Sequence, residues 1–168
     1  SDESSTLKSE QLEDAAILEL MEARKVLDPA IAAEAARSAR PADLTKIRRT
    51  LTTTGKHLEE PENRARLDYE FHLNLAEATQ NFIFVNIVKM TFNLIMATHG
   101  RIYTILMDKE AFFHEHQEIY EAILEHDIEK ATESARTHIG RIYRTLHESM
   151  AEESLEAEQA NQPGPEAG

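Results

Sequence analysis

Four residues in this sequence have the types and spacing to hold a metal ion: Asp68, His72, His116 and His138. Asp68 and His72 are four apart, so on an α-helix they share one face. Asp127 lies 11 residues after His116 and 11 before His138. If the Glu125-His126-Asp127 stretch is a tight turn between antiparallel helices, both imidazoles sit at the same height, given a rise of about 1.5 Å per residue. One carboxylate and three imidazoles from three helices then converge on one point. Neutral imidazole and carboxylate are ordinary ligands for zinc, nickel, manganese or iron. Four protein ligands can close a tetrahedral structural zinc site; an octahedral ion keeps about two positions for water or a small anion. A divalent ion held by one Asp carries a net charge of about +1, which favours a carboxylate ligand. Any one of these histidines alone is more often a hydrogen-bonded core residue; the set of four points to a metal.

The elements that must position them are helical. Residues 1–8 are polar and expected to be flexible. Leu12, Ala15, Ala16, Leu20, Ala23 and Leu27 fall at helical spacing over residues 9–27. Asp28-Pro29 is expected to end that helix and start an Ala-rich second one, with Asp28 as cap and Pro29 as first residue. Pro41 opens a third, reaching about residue 58, and the fourth spans about 64–79 with Phe71, His72 and Leu75 facing in. Asp68 shares that stripe, and an unpaired buried Asp is costly, so it must have a partner. The fifth, about 82–106, is apolar nearly all round, as befits a central or interface helix. Its Met90, Met96 and Phe residues are expected to be core, and His99, Arg101 and Tyr103 add polar groups to its last third. Asp108 and Asp127 are expected to cap the sixth and seventh. His116 and His138 occupy positions where those two patterns call for apolar residues. From Glu152 on there are five Glu, no Lys or Arg, and a Pro-Gly-Pro, so residues 151–168 are expected to be a disordered acidic tail. The domain proper is therefore 9–150.

Composition agrees with an all-α antiparallel bundle of six to seven helices. The chain has 168 residues, enough for one domain with a real core, with five Gly and five Pro. A net charge of −13 argues against gripping nucleic acid directly, since phosphate binding needs a basic surface. The absence of Cys excludes disulfides and thiolate chemistry and fits a cytoplasmic location. No apolar run approaches the ~18 residues of a membrane span. Paired Glu-x-x-His di-iron motifs, a Gly-rich phosphate loop and a nucleophile elbow are all missing.

Several short stretches resemble a known family. Glu19-Leu20-Met21-Glu22-Ala23-Arg24, Asp68-Tyr69-Glu70-Phe71-His72, Leu75-Ala76-Glu77-Ala78-Thr79 with Asn81, His116-Gln117-Glu118-Ile119 and His138 resemble the effector domain of GntR-family bacterial transcriptional regulators, in the FadR-like subfamily. The resemblance covers about residues 10–150. It implies an antiparallel helical bundle, a homodimer, and a divalent ion held by Asp68, His72, His116 and His138 at the base of a pocket for a small organic acid. With all four ligands present, the acyl-CoA-binding branch that lacks the metal site fits less well. It further implies effector contacts from Arg24 and Asn81. Arg101 joins them as a candidate from its place on the fifth helix. The winged helix-turn-helix that precedes the effector domain in that family is not in this chain, so DNA contact is expected only through such a domain.

The rival of a different class is a metal-dependent enzyme of the three-histidine hydrolase or transferase type. It needs a general base beside an open coordination position. Glu70 and Glu115 are the acids on offer, and both are expected to face solvent.

Overall fold

The structure, a computed structural model, describes residues 2–98, 101–106 and 108–162. Its elements are α1 (Asp2–Ser38), α2 (Pro41–Lys56), α3 (Pro61–Ala78), α4 (Phe82–Met96), α5 (Arg101–Ile105), α6 (Lys109–Leu124) and α7 (Ile128–Ala160), with no strand among the described residues. None of the described helices is long and apolar enough to cross a membrane.

Local chemistry sets most boundaries. Pro41 and Pro61 open α2 and α3, where a missing N–H costs nothing. Asn81, Asp108 and Asp127 cap α4, α6 and α7 by accepting from Ile83 N, Ala111 N and Lys130 N. The α6–α7 turn closes by two crossed bonds, Asp127 N to Ala122 O at 2.9 Å and His126 N to Ile123 O at 3.0 Å. That pairing requires a left-handed residue, and His126 supplies it with φ 54°. Its Nδ1 sits 2.8 Å from Ala36 O, tying the turn to α1.

Among the described residues there are seven helices, but they divide the chain differently from the expectation. Pro29 does not end α1; it lies inside it. Asp28 is no cap, because its carboxylate holds Arg24. The lost hydrogen bond and local strain are outweighed by one continuous buried stripe: Ile17 and Met21 before the proline, Ile31, Ala32, Ala35 and Ala36 after it. The expected fifth helix is instead split. Thr98 is a poor helix former, and its hydroxyl donates to Ile95 O at 2.6 Å where α4 stops. His99 and Gly100 lie outside the described residues.

The core is built where α1 and α7 run together over α3 and α6. Met21, Phe71, Ile119, Ile123, Ile139 and Leu146 are essentially fully buried there. Burying each such side chain stabilises by about 1.5–3 kcal/mol. Both ends of this helix pair exceed expectation. Residues 2–8 extend α1, and α7 continues to Ala160 rather than dissolving at 151; the last six residues of the expected tail lie outside the description. On α4 only one side is core, with Val88, Phe92 and Ile95 buried, while Met90 and Met96 are exposed and not core as expected.

Candidate metal centre

α3 supplies Asp68 and His72, α6 supplies His116, and α7 supplies His138; they are 4%, 6%, 0% and 1% exposed. The tight α6–α7 turn brings His116 Nε2 to 3.2 Å from His138 Nε2. Asp68 Oδ1 is 3.2 Å from His72 Nε2 and 3.3 Å from His116 Nε2. One ligand atom from each of the four residues lies within 4.8 Å of every other. Ligands held about 2.0–2.1 Å from one ion in a tetrahedron are themselves roughly 3.3 Å apart, so the closest spacings match that edge.

The unsatisfied carboxylate oxygen makes the same point. Asp68 Oδ1 is fully buried and accepts no hydrogen bond, although two imidazole nitrogens are near, because neither contact has hydrogen-bond geometry. His116 Nδ1 is also buried without a partner, but it is the nitrogen not in contact with the cluster, and an ion held at Nε2 leaves it so. A lone buried acceptor such as Asp68 Oδ1 costs about 1–3 kcal/mol. A carboxylate oxygen meeting imidazole nitrogens in a dry pocket is a donor set that a cation satisfies.

Surrounding groups fix how these atoms face. Tyr103 OH donates to Asp68 Oδ2 at 2.7 Å, which leaves Oδ1 turned to the cluster. Glu115 Oε1 is 2.8 Å from His138 Nδ1, so that nitrogen carries the proton and Nε2 presents its lone pair. Arg141 Nε donates to both Glu115 oxygens at 2.8 Å. Phe71 stacks on His116 with centroids 4.1 Å apart. Glu115 thus corrects the expectation that it faces solvent: it is 8% exposed.

Electrostatics follow burial. Burial pushes the His116 imidazole down to about 3, against a partial lift from Asp68. Burial lowers His138 as well, opposed by Glu115. Both rings are neutral at pH 7, as ligands must be. Burial alone would raise the Asp68 carboxyl, but His116 and His72 beside it hold it well below the carboxylate range. Burial, then the Asp68 charge, keep Tyr103 well above its usual value and therefore a donor.

The other candidates divide. Arg24 is 2% exposed and reaches the cluster, with Nη2 3.5 Å from His72 Nε2. Nε and Nη2 bond Asp28 Oδ2 at 3.0 and 2.8 Å, and the guanidinium lies 5.0 Å over the Phe92 ring. Asp28, Ile31 and Leu75 line a cavity of ≈ 10 Å³ with His72, Ile119 and His138. Asn81 is exposed and spends its side chain capping α4. Arg101 is not brought to the cluster; it lines another cleft and pairs with Asp14 and Glu153, joining α1 to α7. Tyr103, Glu115 and Asp28 went unrecognised as site residues. Their roles arise across helices, and only the Arg24–Asp28 spacing of four was a local signal.

Comparison with known proteins bears on the family and the fold. The family model described as "FCD domain" matches residues 19–141. The HTH-type transcriptional regulator LutR of Bacillus subtilis (strain 168) is 30% identical over 112 residues, covering 64% of this chain and 51% of that protein. The Glc operon transcriptional activator of Escherichia coli (strain K12) is 27% identical over 144 residues, covering 79% of this chain and 56% of that protein. The chain thus spans about half the length of the curated relatives it matches. A solved structure of Streptococcus agalactiae GntR superposes with a TM-score of 0.66 at 22% identity, covering 82% of this chain and 60% of that one. That likeness is one of fold.

Proposed function

This chain belongs to the FCD domain family, and on that premise we propose that it is the ligand-sensing and dimerisation domain of a bacterial GntR-type transcriptional regulator acting in the cytoplasm. Its site takes a divalent ion, zinc, nickel or manganese, and a small organic acid. One observation carries this reading: the Asp68 carboxylate and three imidazoles, all buried, converge with Asp68 Oδ1 lacking any donor. When bound, the ion supplies a fixed positive charge for an anionic ligand.

The chain's own residues do the rest. Asp68, His72, His116 and His138 hold the ion from α3, α6 and α7. Arg24 brings N–H groups from α1 to the edge of the same cluster. A ligand seated there touches four helices at once and favours one arrangement of them. DNA contact belongs to a separate domain, consistent with the length of the relatives named as regulators. Exposed Phe82, Ile83, Met90 and Leu94 on α4 form the apolar face through which two copies pair.

The acids needed by a metal-dependent enzyme are committed elsewhere. Glu115 is held by His138 and Arg141, and Glu70 accepts from Thr50 and pairs with Arg66.

Elemental analysis of untagged protein purified without chelator tests the reading. About one ion per chain, lost in His116→Ala and His138→Ala, is the expected result. No metal in the wild-type protein, even after reconstitution with zinc, nickel or manganese, overturns it.

A further inference from the structure

We infer that Arg101 is a positioning residue for the metal centre: by tying α5 to α1 and α7 it sets the seat of Tyr103 on Asp68. The inference rests on the metal reading above and adds a residue outside the ligand set.

α5 is too short to hold its own place. It has five residues, and an isolated helix of that length is not stable in water. Its position comes from what it touches. Ile102 and Tyr103 are buried. Toward α3 it is held twice: the Tyr103 hydroxyl donates to Asp68 Oδ2 at 2.7 Å, and Arg64 Nη2 donates to Tyr103 O at 3.1 Å. Arg64 and Asp68 are four apart, so both ties come from one face of α3.

Arg101 holds the other side. Residues two apart on a helix do not face the same way, so Arg101 leaves α5 away from Tyr103. A single nitrogen, Nη2, donates to Asp14 Oδ2 on α1 at 3.1 Å and to Glu153 Oε2 on α7 at 2.8 Å. α5 is therefore a strut, with Tyr103 against the metal ligands at one side and Arg101 between the two long helices at the other. Removing the cation leaves Asp14 and Glu153 as like charges with nothing between them. The Arg101 and Glu153 side chains are 31% and 49% exposed, and ion pairs this open add little to stability. What the clasp governs is the place of α5, not the fold.

The aim of Asp68 depends on that place. Tyr103 occupies Oδ2, which leaves Oδ1 at 3.2 Å from His72 Nε2 and 3.3 Å from His116 Nε2. A hydrogen bond is lost beyond about 3.5 Å. A shift of α5 by about 1 Å thus frees the carboxylate to turn, and Oδ1 leaves the donor set.

Competition against a chromophoric chelator on the whole chain, with zinc, nickel and manganese in turn, tests this in a double-mutant cycle. Tyr103→Phe is expected to lower affinity for the tightest of the three ions about 10–100-fold. Arg101→Ala is expected to lower it about tenfold, the low end of that range, and to cause no further loss in the Tyr103→Phe background. Arg101→Lys should restore most of the affinity, because one ammonium can donate to both carboxylates. Glu153→Gln removes half of the clasp at an open position and serves where Arg101→Ala does not fold; its loss is smaller and also vanishes with Tyr103→Phe. Unchanged affinity in the folded variant overturns the inference and leaves the metal reading standing. So do losses that simply add in the double variant, or an Arg101→Lys chain as weak as Arg101→Ala. A wild-type chain that takes none of the three ions overturns both.

Discussion

Glu115 and His138 meet across α6 and α7 at 2.8 Å, Oε1 to Nδ1, and the same carboxylate takes Arg141. This pair fixes one imidazole tautomer in the cluster, with Nε2 left as the lone pair. A neutral amide in place of Glu115 no longer guarantees that tautomer. Glu115→Gln is therefore expected to lower metal affinity about 10–100-fold with the helical fold retained. Competition against a chromophoric chelator measures it, and unchanged affinity would remove Glu115 from the site.

Tyr103 stands to Asp68 as Glu115 does to His138, but as donor. Its hydroxyl, 3% exposed with the rest of the residue, satisfies Oδ2 at 2.7 Å. Tyr103→Phe deletes that donor and leaves a buried carboxylate oxygen alone. The metal-free chain should lose about 1–3 kcal/mol, read as a lower urea midpoint with unchanged slope. A midpoint that does not move shows that water replaces the hydroxyl.

Acid should destabilise the metal-free chain well before its carboxylates titrate. The unfolded chain takes up protons at His116 and His138 below about pH 6.5; the folded chain resists, with His116 lowered by burial to about 3. Between those values the unfolded state binds more protons, so stability falls as pH drops from about 7 to 5. Asp68 and Glu115 are held below the usual carboxylate range, so their contributions are intact in that window and are lost only at lower pH. His116→Phe, whose ring suits a place between Phe71 and Phe112, should show a shallower loss. Urea midpoints at pH 7 and pH 5 for both proteins decide it; parallel losses would assign the acid sensitivity elsewhere.

How much of this was legible in the sequence depends on the range of each interaction. Asp68 and His72 share a helix face by spacing alone, and the symmetry of His116 and His138 about Asp127 placed two imidazoles opposite each other. Caps at Asp108 and Asp127 were readable because a cap is a contact within four residues. Pro29 misled, since the local rule that proline ends a helix was overridden by burial on both sides of it. Arg101 misled for a different reason: its partners, Asp14 and Glu153, are 87 and 52 residues away. Glu115 looked solvent-facing because its neighbour His116 points inward, and only the packed α7 shows that both are buried. The split of α4 from α5 comes at Thr98, a weak helix former that the preceding apolar run obscured.

The apolar side of α4 makes the last prediction. Ile83, Met90 and Leu94 follow one another at helical spacing and are 54%, 61% and 54% exposed. Leu94 continues the stripe into a groove of ≈ 150 Å³ shared with Ala16, Ile17 and Leu20 of α1. Apolar surface arranged in this way is uncommon on monomers and suits pairing with a second copy. Met90→Glu with Leu94→Glu should turn a dimer into a monomer by light scattering. Because neither side chain is buried within the chain, thermal stability measured at the monomer level should change little. A wild-type chain that is monomeric at tens of micromolar, or a double variant that stays dimeric, would place the pairing surface elsewhere.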